Sequence, residues 1–282
     1  MKYFFHKKAW SFRLILFIGI TLSGLSFQQY SKGQELDTMN INYGNDPKQT
    51  LDMYVPNSKN EQKYPVILYV HGGGWMKGDK TNVADKPAFF TRKGYALVSV
   101  NYRMFPDAGY KDMAHDVASA VKWVYDHADQ FQFDKKRINL MGHSAGGHLV
   151  MLIGTNQVYL EQVGLTPNII HTIVDLDGPI DMAEFLQRNV KYKEVFGEDR
   201  QFWMEASPAY YASQKNLPPM LIVSPKRPSI MRFVTKTGGK AVVFETNTLT
   251  HKGITKLLGS ENAPAEAMNM TNTVVEFLHS YN

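Results

Sequence analysis

The stretch Gly142-His143-Ser144-Ala145-Gly146-Gly147 lies between an apolar run at 137–141 and a helical run at 148–154. Gly-x-Ser-x-Gly at a strand-to-helix turn lifts a serine hydroxyl to the carboxyl end of a sheet, because the glycines permit a sharp turn and close packing. A second glycine element, His71-Gly72-Gly73-Gly74-Trp75, directly follows the apolar run 64–70. Consecutive glycines cost chain entropy but free backbone N–H groups to face a site. The chemistry these elements suit is acyl transfer. Ser144 would be the nucleophile, and the N–H groups of Gly73, Gly74 and Ala145 would hold the negative oxygen of a tetrahedral intermediate. The base should come late, since a serine of this kind precedes first an acid and then a histidine. His251 stands in a loop after the last apolar run and before a helical one, whereas His279 lies inside the terminal helical pattern, so His251 is the expected base. His71 is expected to brace the glycine loop, and His143 and His148 to pack or hydrogen-bond beside the serine.

These residues need strands and helices to place them. The segment 39–56 holds two period-2 runs around Gly44-Asn45-Asp46-Pro47, a hairpin pattern. Apolar runs at 64–70, 95–102, 137–142, 169–178, 218–224 and 240–246 predict strands, several of them buried on both faces. Between them, Met113, Val117, Ala120, Val121 and Val124 share one helical stripe, and 263–281 closes the chain as a helix. A hairpin followed by alternating strands and helices predicts an α/β fold: a mostly parallel sheet with an N-terminal antiparallel hairpin and helices on both faces. Residues 30–282 read as a single domain, with no repeat and no Pro-, Gly- or Ser-rich linker.

The chain has 282 residues, 44% of them apolar and none of them cysteine. Without cysteine there is no disulfide, thiolate metal site or cysteine nucleophile, and the core must stabilise the fold. Residues 1–26 carry Lys2, Lys7, Lys8 and Arg13 ahead of an apolar run too short to span a membrane, with Gly24 and Ser26 suiting a cleavage site. A secretory leader is expected there, and with it a secreted or periplasmic location and no stable membrane span after cleavage. Its removal lowers the formal charge from +5 to +1, with 27 basic against 26 acidic residues left. That balance gives no case for nucleic acid, which asks for a clustered basic face.

The two glycine elements, together with Val100-Asn101-Tyr102-Arg103-Met104-Phe105-Pro106, Asp175-Leu176-Asp177-Gly178 and Leu249-Thr250-His251-Lys252-Gly253, resemble the α/β-hydrolase fold. Within it the chain resembles esterase and lipase families with a His-Gly-Gly-Gly oxyanion motif, including hormone-sensitive-lipase-like and feruloyl-esterase- or formamidase-like hydrolases. The resemblance implies a triad aspartate in the loop after the strand at 220–223, just beyond a basic-basic-Pro segment. Here that segment is Lys226-Arg227-Pro228, the next residue is Ser229, and no Asp or Glu occurs anywhere from 206 to 244. Three readings stand open. Ser229 could serve as a neutral third member; Asp177 or Asp181, after the preceding strand, could supply the acid; or the protein could bind without efficient turnover. Loss of the acid costs serine hydrolases roughly 10⁴ in kcat, so its apparent absence weakens catalysis without excluding it.

The function expected is a secreted serine carboxylic-ester hydrolase working through an acyl-enzyme, with no metal and no cofactor. The alternatives are an arylformamidase-like amidohydrolase and a catalytically weak homologue with a binding role. Trp75, Tyr102, Met104, Phe105 and Trp203 are candidate pocket residues. They favour a small or aromatic acyl group, on a small-molecule or glycan-linked ester, over a long lipid chain.

Overall fold

The computed structural model describes residues 38–57 and 63–281; the expected leader at 1–26 lies outside them. Among the described residues, eight strands form one sheet in the order β1-β2-β4-β3-β5-β6-β7-β8. They are β1 (Thr38–Asn42), β2 (Thr50–Tyr54), β3 (Tyr64–Val70), β4 (Ala96–Val100), β5 (Phe133–His143), β6 (Ile170–Leu176), β7 (Met220–Ser224) and β8 (Ala241–Glu245). The predicted hairpin pairs β1 with β2, and β2 runs antiparallel to β4. Every pair from β4 across to β8 is parallel. The carboxyl ends of these strands therefore share one edge of the sheet, where open parallel sheets carry their sites.

The helices are α1 (Lys86–Arg92), α2 (Tyr110–Asp126), α3 (Ala145–Thr155), α4 (Val158–Gln162), α5 (Met182–Arg188), α6 (Lys193–Phe196), α7 (Arg200–Glu205), α8 (Pro228–Lys236), α9 (His251–Lys256) and α10 (Ala265–Tyr281). The period-2 pleat of β3 divides the core in two. Val66, Leu68 and Val70 pack with Met113, Val117 and Val121 of α2 and with α3. Ile67 and Tyr69 face the other way, onto Phe90 of α1, Ile254 of α9 and Met270, Val274 and Leu278 of α10. All eleven residues of α3 are buried, so the helix that begins just after Ser144 is held on every side. At the far edge β8 keeps only Ala241 buried, as a strand with one open side does.

Candidate active site

Ser144 is the residue between β5 and α3, and its backbone stands at φ 55, ψ −117. That conformation is rare for a side chain other than glycine and is held by its surroundings. The Ser144 N–H donates to the Leu176 carbonyl, 3.0 Å, and its own carbonyl accepts from His148 N–H, 2.9 Å. Gly146 is required by close approach: a Cβ there would stand 2.1 Å from the Val70 carbonyl oxygen. Ala145 opens α3, so its N–H has no carbonyl of its own helix to bond and lies at the positive end of the helix dipole.

His251 is the first residue of α9. Ser144 Oγ–H donates to its Nε2 across 2.9 Å, and its Nδ1–H donates to Asp177 Oδ2 across 2.6 Å. Both ring nitrogens are thereby occupied. Asp177 is the first residue beyond β6, at φ 63, and its own N–H donates to the Val223 carbonyl, 2.9 Å. Its other oxygen, Oδ1, accepts from Arg227 Nη2 at 2.5 Å and from Ser224 Oγ at 3.1 Å. Burial works against ionisation of Asp177, but the bond from His251, the Arg227 charge and the Ser224 bond outweigh it and hold the carboxyl below its ordinary range. Two residues earlier, burial drives Asp175 the opposite way, well above that range, and its Oδ1 accepts from the Gly178 N–H. Two carboxyls two residues apart are thus shifted in opposite directions by their surroundings.

This geometry corrects the expectation for the third position. Ser229 does not meet the His251 ring. It sits in the first turn of α8, buried, and lines the cavity instead. The loop before it brings a cation, Arg227, to a carboxylate that β6 supplies. Asp181 is not at the ring either: it caps α5, accepting from Glu184 N–H at 3.0 Å, and its other oxygen lies 3.8 Å from Arg232. Of the two alternative acids, Asp177 is the one at His251.

The glycine loop follows β3. Gly73 stands at φ 136 and Gly74 at φ 64; a Cβ on Gly74 would come 2.8 Å from the Tyr192 ring. His71 stacks on Tyr102 with centroids 4.7 Å apart, and its Nδ1–H donates to the Gly72 carbonyl, 2.8 Å. His143 donates from Nε2 to the His251 carbonyl, 2.9 Å, while burial first and the neighbouring His251 second push its pKa down to about 4. His148 donates from Nε2 to the Ala206 carbonyl and accepts from Trp75 Nε1–H; burial pushes it down to about 4 as well. All three are neutral structural histidines.

Above Ser144 opens a cavity of about 480 Å³. Its apolar lining comes from Trp75, Ile180, Phe185, Tyr192 and Ile230, and Arg227 and Ser229 line it as well. Trp75 meets Phe185, Tyr192 and Phe196 edge to face, with centroids 4.9–5.9 Å apart. Of the five aromatic and methionine candidates, Trp75 alone reaches the cavity; Tyr102 and Trp203 are buried away from it, and Met104 and Phe105 do not line it. Phe185 and Tyr192 carried no signal in sequence, because Phe185 lies in the seven-residue α5 and Tyr192 in a three-residue 3₁₀ turn just before α6, both too short to show a periodicity. Among the described residues, no three His, Asp or Glu side chains converge to hold a metal ion, and no helix is long and apolar enough to cross a membrane.

A strand order of 1-2-4-3-5-6-7-8 with a serine on a strained turn after β5 and a histidine after β8 defines the α/β-hydrolase fold. The profile of the BD-FAE family matches residues 51–233, and the chain belongs to that family. It is 27% identical over 207 residues to the esterase LipC of Mycobacterium tuberculosis, an alignment covering 67% of this chain and 50% of LipC. It is 30% identical over 163 residues to the isoprenylcysteine alpha-carbonyl methylesterase ICME of Arabidopsis thaliana, covering 55% of this chain and 38% of that protein. The chain thus spans half or less of the length of these relatives. In fold it is similar to an inhibited esterase B from Lactobacillus rhamnosis, with a TM-score of 0.71 at 19% identity over 87% of this chain and 86% of the other. A truncated carbohydrate esterase from gut microbiota superposes with a TM-score of 0.71 at 20% identity, over 89% and 99%.

Proposed function

We propose that this protein is a serine carboxylic-ester hydrolase with Ser144, His251 and Asp177 as its triad. The observation that carries the reading is the continuous line of hydrogen bonds from Ser144 Oγ through both nitrogens of His251 to Asp177 Oδ2. Ser144 Oγ attacks the acyl carbon and its proton passes to His251 Nε2. Asp177 keeps the ring in the tautomer whose Nε2 is free to accept, and stabilises the imidazolium that forms. The oxyanion is held by the N–H groups of Ala145, Gly73 and Gly74. His251 then returns the proton to the leaving alkoxide, and a water activated the same way releases the acid from Ser144. With an acid in place, the reading of a binding protein without turnover loses its motivation.

The closed aromatic wall and the cavity volume favour a small or aromatic acyl group over a long chain. The names of the esterase and methylesterase relatives support an ester as substrate. Action outside the cytoplasm is part of the same reading, supported by the basic start and apolar run of residues 1–26, and the intact mass of exported protein tests it. For the catalytic reading, Ser144→Ala should abolish both hydrolysis of p-nitrophenyl butyrate and labelling by a fluorophosphonate, while leaving the thermal transition nearly in place. Turnover retained by that variant would end the proposal.

A further inference from the structure

We propose that Arg227 is a positioning residue of the hydrolytic site: it holds Asp177 in the rotamer that faces His251 and offsets part of the carboxylate's charge. The inference rests on the triad reading above and goes beyond it. A carboxylate on a two-bond stem can turn, and only one orientation aims Oδ2 at Nδ1 of the base. Here Oδ1 is held from the opposite side by two donors, Arg227 Nη2 at 2.5 Å and Ser224 Oγ at 3.1 Å. Both belong to the stretch that leaves β7. Because β6 and β7 are neighbours with Leu176 opposite Val223, the residues just past the two strands meet, and the Asp177–Val223 backbone bond locks that meeting. The loop that carries the acid in the resembling families carries the acid's clamp here. The Asp177 side chain is 2% exposed, so water does not compete for Oδ1, whereas that of Arg227 is 37% exposed and reaches it from the cavity.

The charge matters as well as the geometry. The ionisable groups packed around the pair are His251 from α9, Asp175 from β6, the neutral His143 from β5 and, behind His143, Lys86 from α1, with Asp181, Glu184 and Arg188 at and in α5 lining the same cavity as Arg227. Among the described residues, Arg227 is the one cation bonded to Asp177 besides the base itself. It weakens the hold of Asp177 on a proton at His251. Without it, the full charge of the carboxylate faces Nδ1 of the base.

The test is the pH profile of kcat/KM for p-nitrophenyl acetate, a small neutral ester, in the wild type, Arg227→Gln and Arg227→Lys. Arg227→Gln keeps a donor and removes the charge. Its acid limb should move up by about half a pH unit or more, the size that a charge a few ångströms away produces at a partly exposed site, and its plateau kcat should fall about tenfold with KM little changed. Arg227→Lys keeps the charge and loses the planar fork; its acid limb should stay in place while kcat falls severalfold. An unmoved limb in Arg227→Gln, or an effect confined to KM, would overturn the proposal and make Arg227 a cavity wall. If Arg227→Gln does not fold, the lysine variant decides alone: a shifted limb or unchanged kcat overturns the inference. Asp177→Asn, run alongside, separates the two levels, since full activity in that variant would sink the triad reading itself.

Discussion

At the scale of single residues, the site turns on which side chain reaches Nδ1 of His251. The carboxylate of Asp177 does, at 2.6 Å, and Ser229 does not. Asp177→Asn should lower kcat for a short p-nitrophenyl ester about 10⁴-fold, the cost of a ring left in the wrong tautomer, with a small change in KM; a loss under tenfold would contradict its role. Ser229→Asp should bring no gain, because both ring nitrogens are already bonded and the new carboxylate would stand in the cavity beside Asp181 and Glu184. A tenfold rise in that variant would show that the α8 loop can still serve the base. The same residue scale explains the histidines. His71, His143 and His148 have the chemistry of bases, but each is buried and directs a ring nitrogen to a backbone carbonyl.

At the scale of elements, the triad is assembled from the ends of three strands and the starts of two helices. α3 holds the serine by its complete burial, while α9 is only six residues long and exposes its first turn. Besides the buried Ile254, its termini fix α9. Thr250 Oγ1 caps it, accepting from Gly253 N–H at 3.0 Å; His143 donates to its first carbonyl; and buried Lys86 donates from Nζ to the Thr255 carbonyl, 2.6 Å, near its end. Thr250→Ala should cost about 1 kcal/mol of stability and lower kcat, since His251 directly follows the cap. Thr250→Ser should restore most of both. Urea unfolding and steady-state kinetics on the pair check this; equal kcat in alanine and serine variants would show that the cap does not position the base.

At the scale of the whole molecule, two buried neutral histidines link stability to pH. His143 and His148 are pushed down to about 4 in the folded protein, whereas in the unfolded chain each binds a proton near pH 6.5. Between those values the unfolded state holds more protons, so stability falls as pH falls through that window. The loss by pH 4 should be on the order of 3 kcal/mol for each. Asp177, held below its ordinary range, adds to the decline only at the acid end, through and below its unfolded value. Asp175, raised by burial, acts in the opposite direction over the same window, so the histidine share is read as a difference: between pH 7 and pH 4 the urea midpoint of His148→Gln should fall less than that of the wild type. An identical pH dependence in the two proteins would mean that the His148 ring titrates normally.

The local patterns alone determined the order of the strands along the chain, helices α2, α3, α9 and α10, the serine turn, the glycine loop and the late histidine. Each of these is written in neighbouring residues: apolar runs for β3 to β8, glycines where no Cβ fits, a histidine just past the last strand. The acid was not legible in that way, although Asp177 stood in view. β6 and β7 run side by side, so the residues after both strands lie within reach of the same imidazole, and spacing along the chain does not choose between them. The choice was made in three dimensions, by the backbone bond from Asp177 to Val223 and by Arg227 and Ser224 gathering around a carboxylate buried with its counter-charge. The cavity wall was decided there too, because Phe185 and Tyr192 reach it from the segment after β6 and pack edge to face on Trp75.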